Sequence, residues 1–102
     1  MSNESRKARR LTNVQLSDKT MWFAWLMYRR LIANNNKPGW QADSIGALVR
    51  RVKEEVAELD AADNRKAIIK EAIDVANFCM MVCDNLAKTV EDVPSLRPEV
   101  KP

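Results

Sequence analysis

The reading of the fold turns on two stretches, RVKEEVAELD at residues 51–60 and KEAIDVANFCMMVCD at residues 70–84. Acidic residues recur in both at short helical spacings, Glu54, Glu55 and Glu58 in the first and Glu71 and Asp74 in the second, with a polar break from Asp60 to Asn64 between them. Two helices joined by a tight turn form an antiparallel hairpin, in which residues equidistant from the turn face each other. Glu58 with Glu71, and Glu55 with Asp74, share one midpoint near Asn64. The hairpin therefore sets four carboxylates around one point, a cage for a hard cation. Oxygen-only donors suit Mg²⁺ or Mn²⁺ better than zinc.

Angular position separates these acids from one another. At about 100° per residue, Ile45, Leu48, Val49, Val52, Val56 and Leu59 share one apolar arc. Glu55 lies just beside that arc, Glu58 further round, and Glu54 on the far side, where it meets water. The second helix has a wider apolar arc, through Ile68, Ala72, Val75, Phe78, Cys79, Met81, Val82 and Leu86, and Glu71 and Asp74 sit inside it. A carboxylate so placed must be paired, protonated or metal-bound, because an isolated buried charge is costly. Few nearby cations are evident to pair with it. Asn77 continues the same row and can orient a ligand.

Composition narrows the chemistry. The chain has 102 residues, 46% of them apolar, with two glycines and no histidine. One domain is expected, mostly helical. Without histidine there is no imidazole base, nucleophile partner or metal ligand, so chemistry must run on carboxylates, amides, Lys, Arg and water. Cys79 and Cys83, four apart on an apolar arc, read as small buried thiols, with neither a zinc spacing nor a disulfide framework. No signal peptide or apolar span of about 20 residues is seen, so a reducing, cytoplasmic location is expected. The net charge is +3. Much of the excess is in Arg6, Lys7, Arg9 and Arg10, which read as a solvated arm or as a weak nucleic-acid contact.

Three helices are expected. The first, capped by Ser17 or Asp18, reaches about Asn34 and is apolar nearly all round, with Trp22, Phe23, Trp25, Leu26, Met27, Leu31 and Ile32. A chain of this size cannot bury it completely, which points to an oligomer interface, a ligand pocket or both; Trp22 and Trp25 also read as ordinary core. Asn34 to Trp40 is a loop by its turn residues, and Trp40 either anchors it or stacks on a nucleobase. Ser44 caps the second helix, which ends near Ala62. Asp63 or Asn64 caps the third, which runs to about Lys88 or Thr89. Residues 91–102, with three prolines, are expected to be extended. The expected organisation is a basic arm over 1–13, an all-α hairpin-based bundle over 14–90, completed by oligomerisation, and a C-terminal tail over 91–102.

Carboxylates around a hard cation with open water positions suit phosphate-ester or phosphate-anhydride hydrolysis. In that light the run from Lys37 to Asp84 resembles the MazG-like members of the all-alpha NTP pyrophosphatase superfamily, whose signature is E-E-x-x-E on one helix and E-x-x-D on the next. The chain reads Glu54-Glu55-Val56-Ala57-Glu58 and Glu71-Ala72-Ile73-Asp74, preceded by a K-x-G-W loop (Lys37, Gly39, Trp40) and followed by Val75-Ala76-Asn77-Phe78. The likeness is to short, single-domain bacterial or phage-type members and covers about half the chain.

The resemblance implies hydrolysis of a (d)NTP to the monophosphate and pyrophosphate. Glu55, Glu58, Glu71 and Asp74 would bind Mg²⁺ (or Mn²⁺), with Glu55 or Glu58 helping to activate the attacking water. It also implies a homodimer or dimer-based homotetramer with sites at subunit interfaces, in the cytoplasm, or the host's if phage-encoded. Candidate substrate contacts are Asn77, Trp40, Lys37, Arg51, Trp22 and Arg97; Arg51, Lys70 and Lys88 also read as surface cations, and Lys101 as a closing tail residue. Relatives usually continue with further helices where this chain has a proline-punctuated tail. Two other readings compete: an oligomeric helical interaction module whose acidic row pairs with the basic arm of another subunit, and a nucleic-acid-binding protein using residues 6–10.

Overall fold

The computed structural model describes residues 9–87, and they form an all-α bundle of three helices. Helix α1 spans Asn13–Ala33, α2 spans Ile45–Ala61 and α3 spans Arg65–Leu86, with a single 3₁₀ turn at Trp40–Ala42 before α2. Each long helix begins at a side-chain cap. Ser44 accepts from the Ala47 amide and Asn64 from the Ala67 amide, satisfying donors that the first turn leaves without partners.

The start of α1 differs from the expectation. It lies about one and a half turns earlier than Ser17 or Asp18, because Thr12 and Gln15 form a reciprocal capping box: Gln15 N–H donates to Thr12 Oγ1 at 3.1 Å and Thr12 N–H donates to Gln15 Oε1 at 2.9 Å. Glutamine three residues after threonine is the sequence signal for this motif. The expected C-terminal tail, and most of the N-terminal arm, lie outside the described residues.

Three residues, Ala62 to Asn64, separate α2 from α3, so the two run antiparallel and pack against each other. Their register is the expected one. The Arg51 guanidinium lies 4.8 Å from the Phe78 ring centroid, and this pair shares the midpoint of Glu55 and Asp74. Helix α1 packs on α3, also antiparallel. Asn77 Nδ2 donates to Met27 O at 3.2 Å and Arg30 pairs with Asp74, and these two contacts again share one midpoint. Helix α3 is thus the central element, flanked by the other two.

Little of this is closed core. Leu48, Ile73 and Ala87 are the buried apolar residues among those described, and α1 contributes none. Val49, Val56, Ile68 and Ile69 remain exposed. Cys79 and Cys83, read from the sequence as buried thiols, are also exposed. The cause is arithmetic of surface: the apolar arc of α3 is wider than two neighbouring helices can cover, and the cysteines lie on its uncovered edge. No helix among the described residues is long and apolar enough to cross a membrane.

The loop between α1 and α2 folds back on the body. Buried Asn85 donates through Nδ2 to Trp40 O at 3.0 Å and to Asp43 O at 3.1 Å, and Trp40 Nε1–H donates to Asp84 Oδ2 at 3.0 Å. Trp40 O also accepts from the Asp43 amide at 2.9 Å within the 3₁₀ turn, so the Asn85 amide adds a second donor there and ties Asp43 O to the same point. Replacing Asn85 by alanine should cost about 1–3 kcal/mol by removing both of its bonds from a buried position. Chemical denaturation measures that loss, and a red shift of tryptophan emission should accompany it as the Trp40 loop loosens.

Candidate active site

A cavity of about 620 Å³ opens where the Trp40 loop meets the facing surfaces of all three helices. The acids reach it by helix register. Glu55 enters from α2, and Asp74, one turn beyond Glu71, from α3. One carboxylate oxygen from each of Glu55, Glu71 and Asp74 lies within 4.8 Å of the others. Glu58 lines the cavity and its carboxyl interacts with those of Glu55 and Glu71, but it is exposed and lies outside that compact trio.

Burial and neighbours divide the acids. Glu55 is buried, with 5% of its surface exposed. Its pKa rises from 4.5 to about 7, first because burial disfavours the charged form, then because Glu58 and Asp74 are close, with Arg51 opposing the shift. Glu71 moves the other way, because Lys70 Nζ donates to its Oε1 at 3.0 Å. Oε2 of Glu55 and Oε2 of Glu71 are buried without a hydrogen-bond partner, and so is Oδ1 of Asn77. Buried acceptors left so are uncommon and call for a ligand, an ion or water. Hard oxygen donors that close together fit a divalent cation.

The acidic row has more cationic company than the sequence reading expected. Arg30 Nε donates to Asp74 Oδ1 at 2.9 Å, Lys70 reaches Asp74 Oδ2 at 3.4 Å, and Arg51 Nη2 donates to Glu55 Oε1 at 3.0 Å. Arg51 also bonds the outward-facing Glu54. The Asp74 bond raises the pKa of Arg30, and the Glu71 bond raises that of Lys70. Arg30 was absent from the candidate residues, since only the docking of α1 on α3 brings it there. One signal in the sequence was available: Arg30 follows Phe23, Leu26 and Met27 at helical spacing, a cation on an otherwise apolar stripe.

Of the proposed substrate contacts, Lys37, Trp40, Arg51 and Asn77 line the cavity, as do Asn34, Asn35 and Lys70. Trp22 does not; it lies beside Asp18 and Lys19 on the outer side of α1. Arg97, Lys88 and Lys101 lie outside the described residues. Comparison with known protein families, with curated proteins and with solved structures finds no match.

Stability should carry the mark of these titrations. Because the folded protein holds the Glu55 proton up to about pH 7, it binds more protons than the unfolded chain above pH 4.5, and stability falls as pH rises through that window. Glu71, shifted down, contributes stability that is lost as pH falls below its ordinary value. In EDTA, denaturation free energy should decline by at most about 3 kcal/mol from pH 5 to pH 8, and Glu55→Gln should flatten the decline. Millimolar Mg²⁺ should raise Tm more at pH 8 than at pH 5, since a cation binds the deprotonated carboxylates; equal shifts at both pH values would count against a cation at this cluster.

Proposed function

We propose that the protein is a Mg²⁺-dependent nucleoside triphosphate pyrophosphohydrolase, which converts a (d)NTP to the (d)NMP and pyrophosphate. The observation that carries this reading is the convergence of Glu55, Glu71 and Asp74, two of them with unpartnered buried oxygens, where Glu55 and Asp74 line a cavity that is also lined by Lys and Arg side chains and an indole. The resemblance of the two acidic motifs and the Lys37–Trp40 loop to MazG-like enzymes points to the same chemistry.

Glu55, Glu71 and Asp74, with Glu58 at the edge, would hold the cation, whose contribution is Lewis acidity toward phosphate oxygens and water. The remaining work falls to the chain. Arg30, Arg51, Lys70 and Lys37 offset the charge of the triphosphate, with Arg30 and Lys70 releasing part of their hold on Asp74 as it engages the cation. Trp40 offers an aromatic face to the base, and the amides of Asn34 and Asn35 offer donors and acceptors to its edge. Asn77, fixed by its bond to Met27 O, presents Oδ1 to the site. Water attacks the α phosphorus, the bond from that phosphorus to the bridging oxygen breaks, and pyrophosphate leaves. Glu55 or Glu58 accepts the water's proton.

One observation favours a second reading. Asp74, Glu71 and Glu55 each already have a Lys or Arg partner, supplied by the same chain and not by the basic arm of another subunit, so the acidic row can be structural in a helical interaction module. The two readings part on turnover. Incubation with a panel of ordinary and modified NTPs and dNTPs should release pyrophosphate with Mg²⁺ or Mn²⁺ and none with EDTA. Asp74→Asn and Glu55→Gln should each lower kcat by at least about 10²-fold while helicity by circular dichroism is kept. No turnover across the panel by folded protein would sink the hydrolase reading in favour of the interaction module.

A further inference from the structure

The three clustered acids are not equally open to a ligand. Glu55 and Glu71 each keep one buried oxygen without a partner, and Glu55 has only 5% of its surface exposed. Both oxygens of Asp74 are taken. Arg30 Nε donates to Oδ1 at 2.9 Å and Arg30 Nη2 to Oδ2 at 3.4 Å, while Lys70 Nζ adds a bond to Oδ2 at 3.4 Å. A forked guanidinium is among the strongest partners a carboxylate can have, so any cation shared by the three acids competes with Arg30 for Asp74.

Arg30 differs from the other cations of the site in where it comes from. Arg51 reaches Glu55 from one turn earlier on α2, and Lys70 reaches Glu71 and Asp74 from their own helix. Arg30 crosses from α1. Its backbone is fixed: its carbonyl accepts from the Asn34 amide and from Asn34 Nδ2, and the Asn77 bond to Met27 O pins the adjacent turn of α1 to α3. Its side chain is 33% exposed and lines the cavity with Asp74 and Lys37. A change of rotamer therefore turns the guanidinium from the carboxylate toward the cavity without moving a helix. Phosphate oxygens engage the same fork that a carboxylate does.

We propose that Arg30 is a built-in counter-cation, which closes the ion site in the free protein and passes from Asp74 to the polyphosphate of an incoming ligand. A divalent ion is then taken up with a polyphosphate and only weakly without one. The inference rests on reading the cavity as a nucleoside triphosphate site, and it adds the order in which that site is assembled.

Mn²⁺ alone, and inorganic tripolyphosphate in EDTA, are titrated by calorimetry into the full chain in separate experiments, so that neither ligand chelates the other. Arg30→Gln should bind Mn²⁺ at least about tenfold more tightly than the native chain and tripolyphosphate at least about tenfold more weakly, with helicity unchanged. Adding Asp74→Asn should remove the gain in Mn²⁺ affinity. Arg29→Gln deletes the same charge from an exposed neighbour and should change either affinity less than about twofold. Arg30→Lys, with one point of contact in place of a fork, should fall between native and glutamine, and it carries the test if Arg30→Gln loses helicity. A merely structural Arg30 would weaken both ligands together on substitution. That result overturns the proposal, as does an unchanged Mn²⁺ affinity or an equal effect of Arg29→Gln. Nucleotide turnover with Mn²⁺ affinity indifferent to Arg30 would keep the hydrolase reading and remove this one. Opposite shifts in the two affinities without turnover would keep the role of Arg30 and remove the hydrolase, and a native chain and variants that bind neither ligand would remove both.

Discussion

Burial of the Glu55 carboxyl between α2 and α3 is the constraint to which the rest of the structure answers. A charge held away from water needs partners or a proton, and the surrounding residues supply both. Arg51, one turn earlier on α2, bonds one oxygen and lies over Phe78 of α3. Glu58 and Asp74 push in the opposite sense and keep the proton near neutrality. The same oxygens that share this proton would serve the cation of the proposed function, so exchanging one for the other would need little rearrangement.

Helix α1 works on two faces. Its inner face delivers Arg30 to Asp74 and a backbone carbonyl to Asn77, which ties the acidic row to a third element and gives the cavity one of its walls. The outer face carries aromatic and aliphatic side chains that nothing in the described chain covers. One helix therefore links the polar centre to the apolar exterior, and the cavity lies where the two meet.

Much of this was legible in the sequence. Glu55 and Asp74 could be placed opposite each other because helical spacing and a short break fix a hairpin's register. The Ser44 and Asn64 caps, the outward turn of Glu54 and the folded-back Trp40 loop followed from local rules of the same kind. What escaped depended on a third body. Arg30 has no sequence proximity to Asp74, and the cysteines read as buried because an apolar arc does not reveal how much of itself its neighbours will cover. The Thr12–Gln15 capping box has a sequence signal of its own, glutamine three residues after threonine, and it starts the helix ahead of Ser17 and Asp18.

The sequence by itself determined the helices, the hairpin and the presence of two acidic pairs at matching distances from one turn, since those depend on periodicity and capping within about 30 contiguous residues. Only the tertiary structure decided which carboxyl is buried with its pKa raised, which cations stand against the row and which side of α1 is left open. Those outcomes depend on desolvation and charge at contacts between helices, and solvent is excluded by the packed neighbours of a residue, not by its position in the chain.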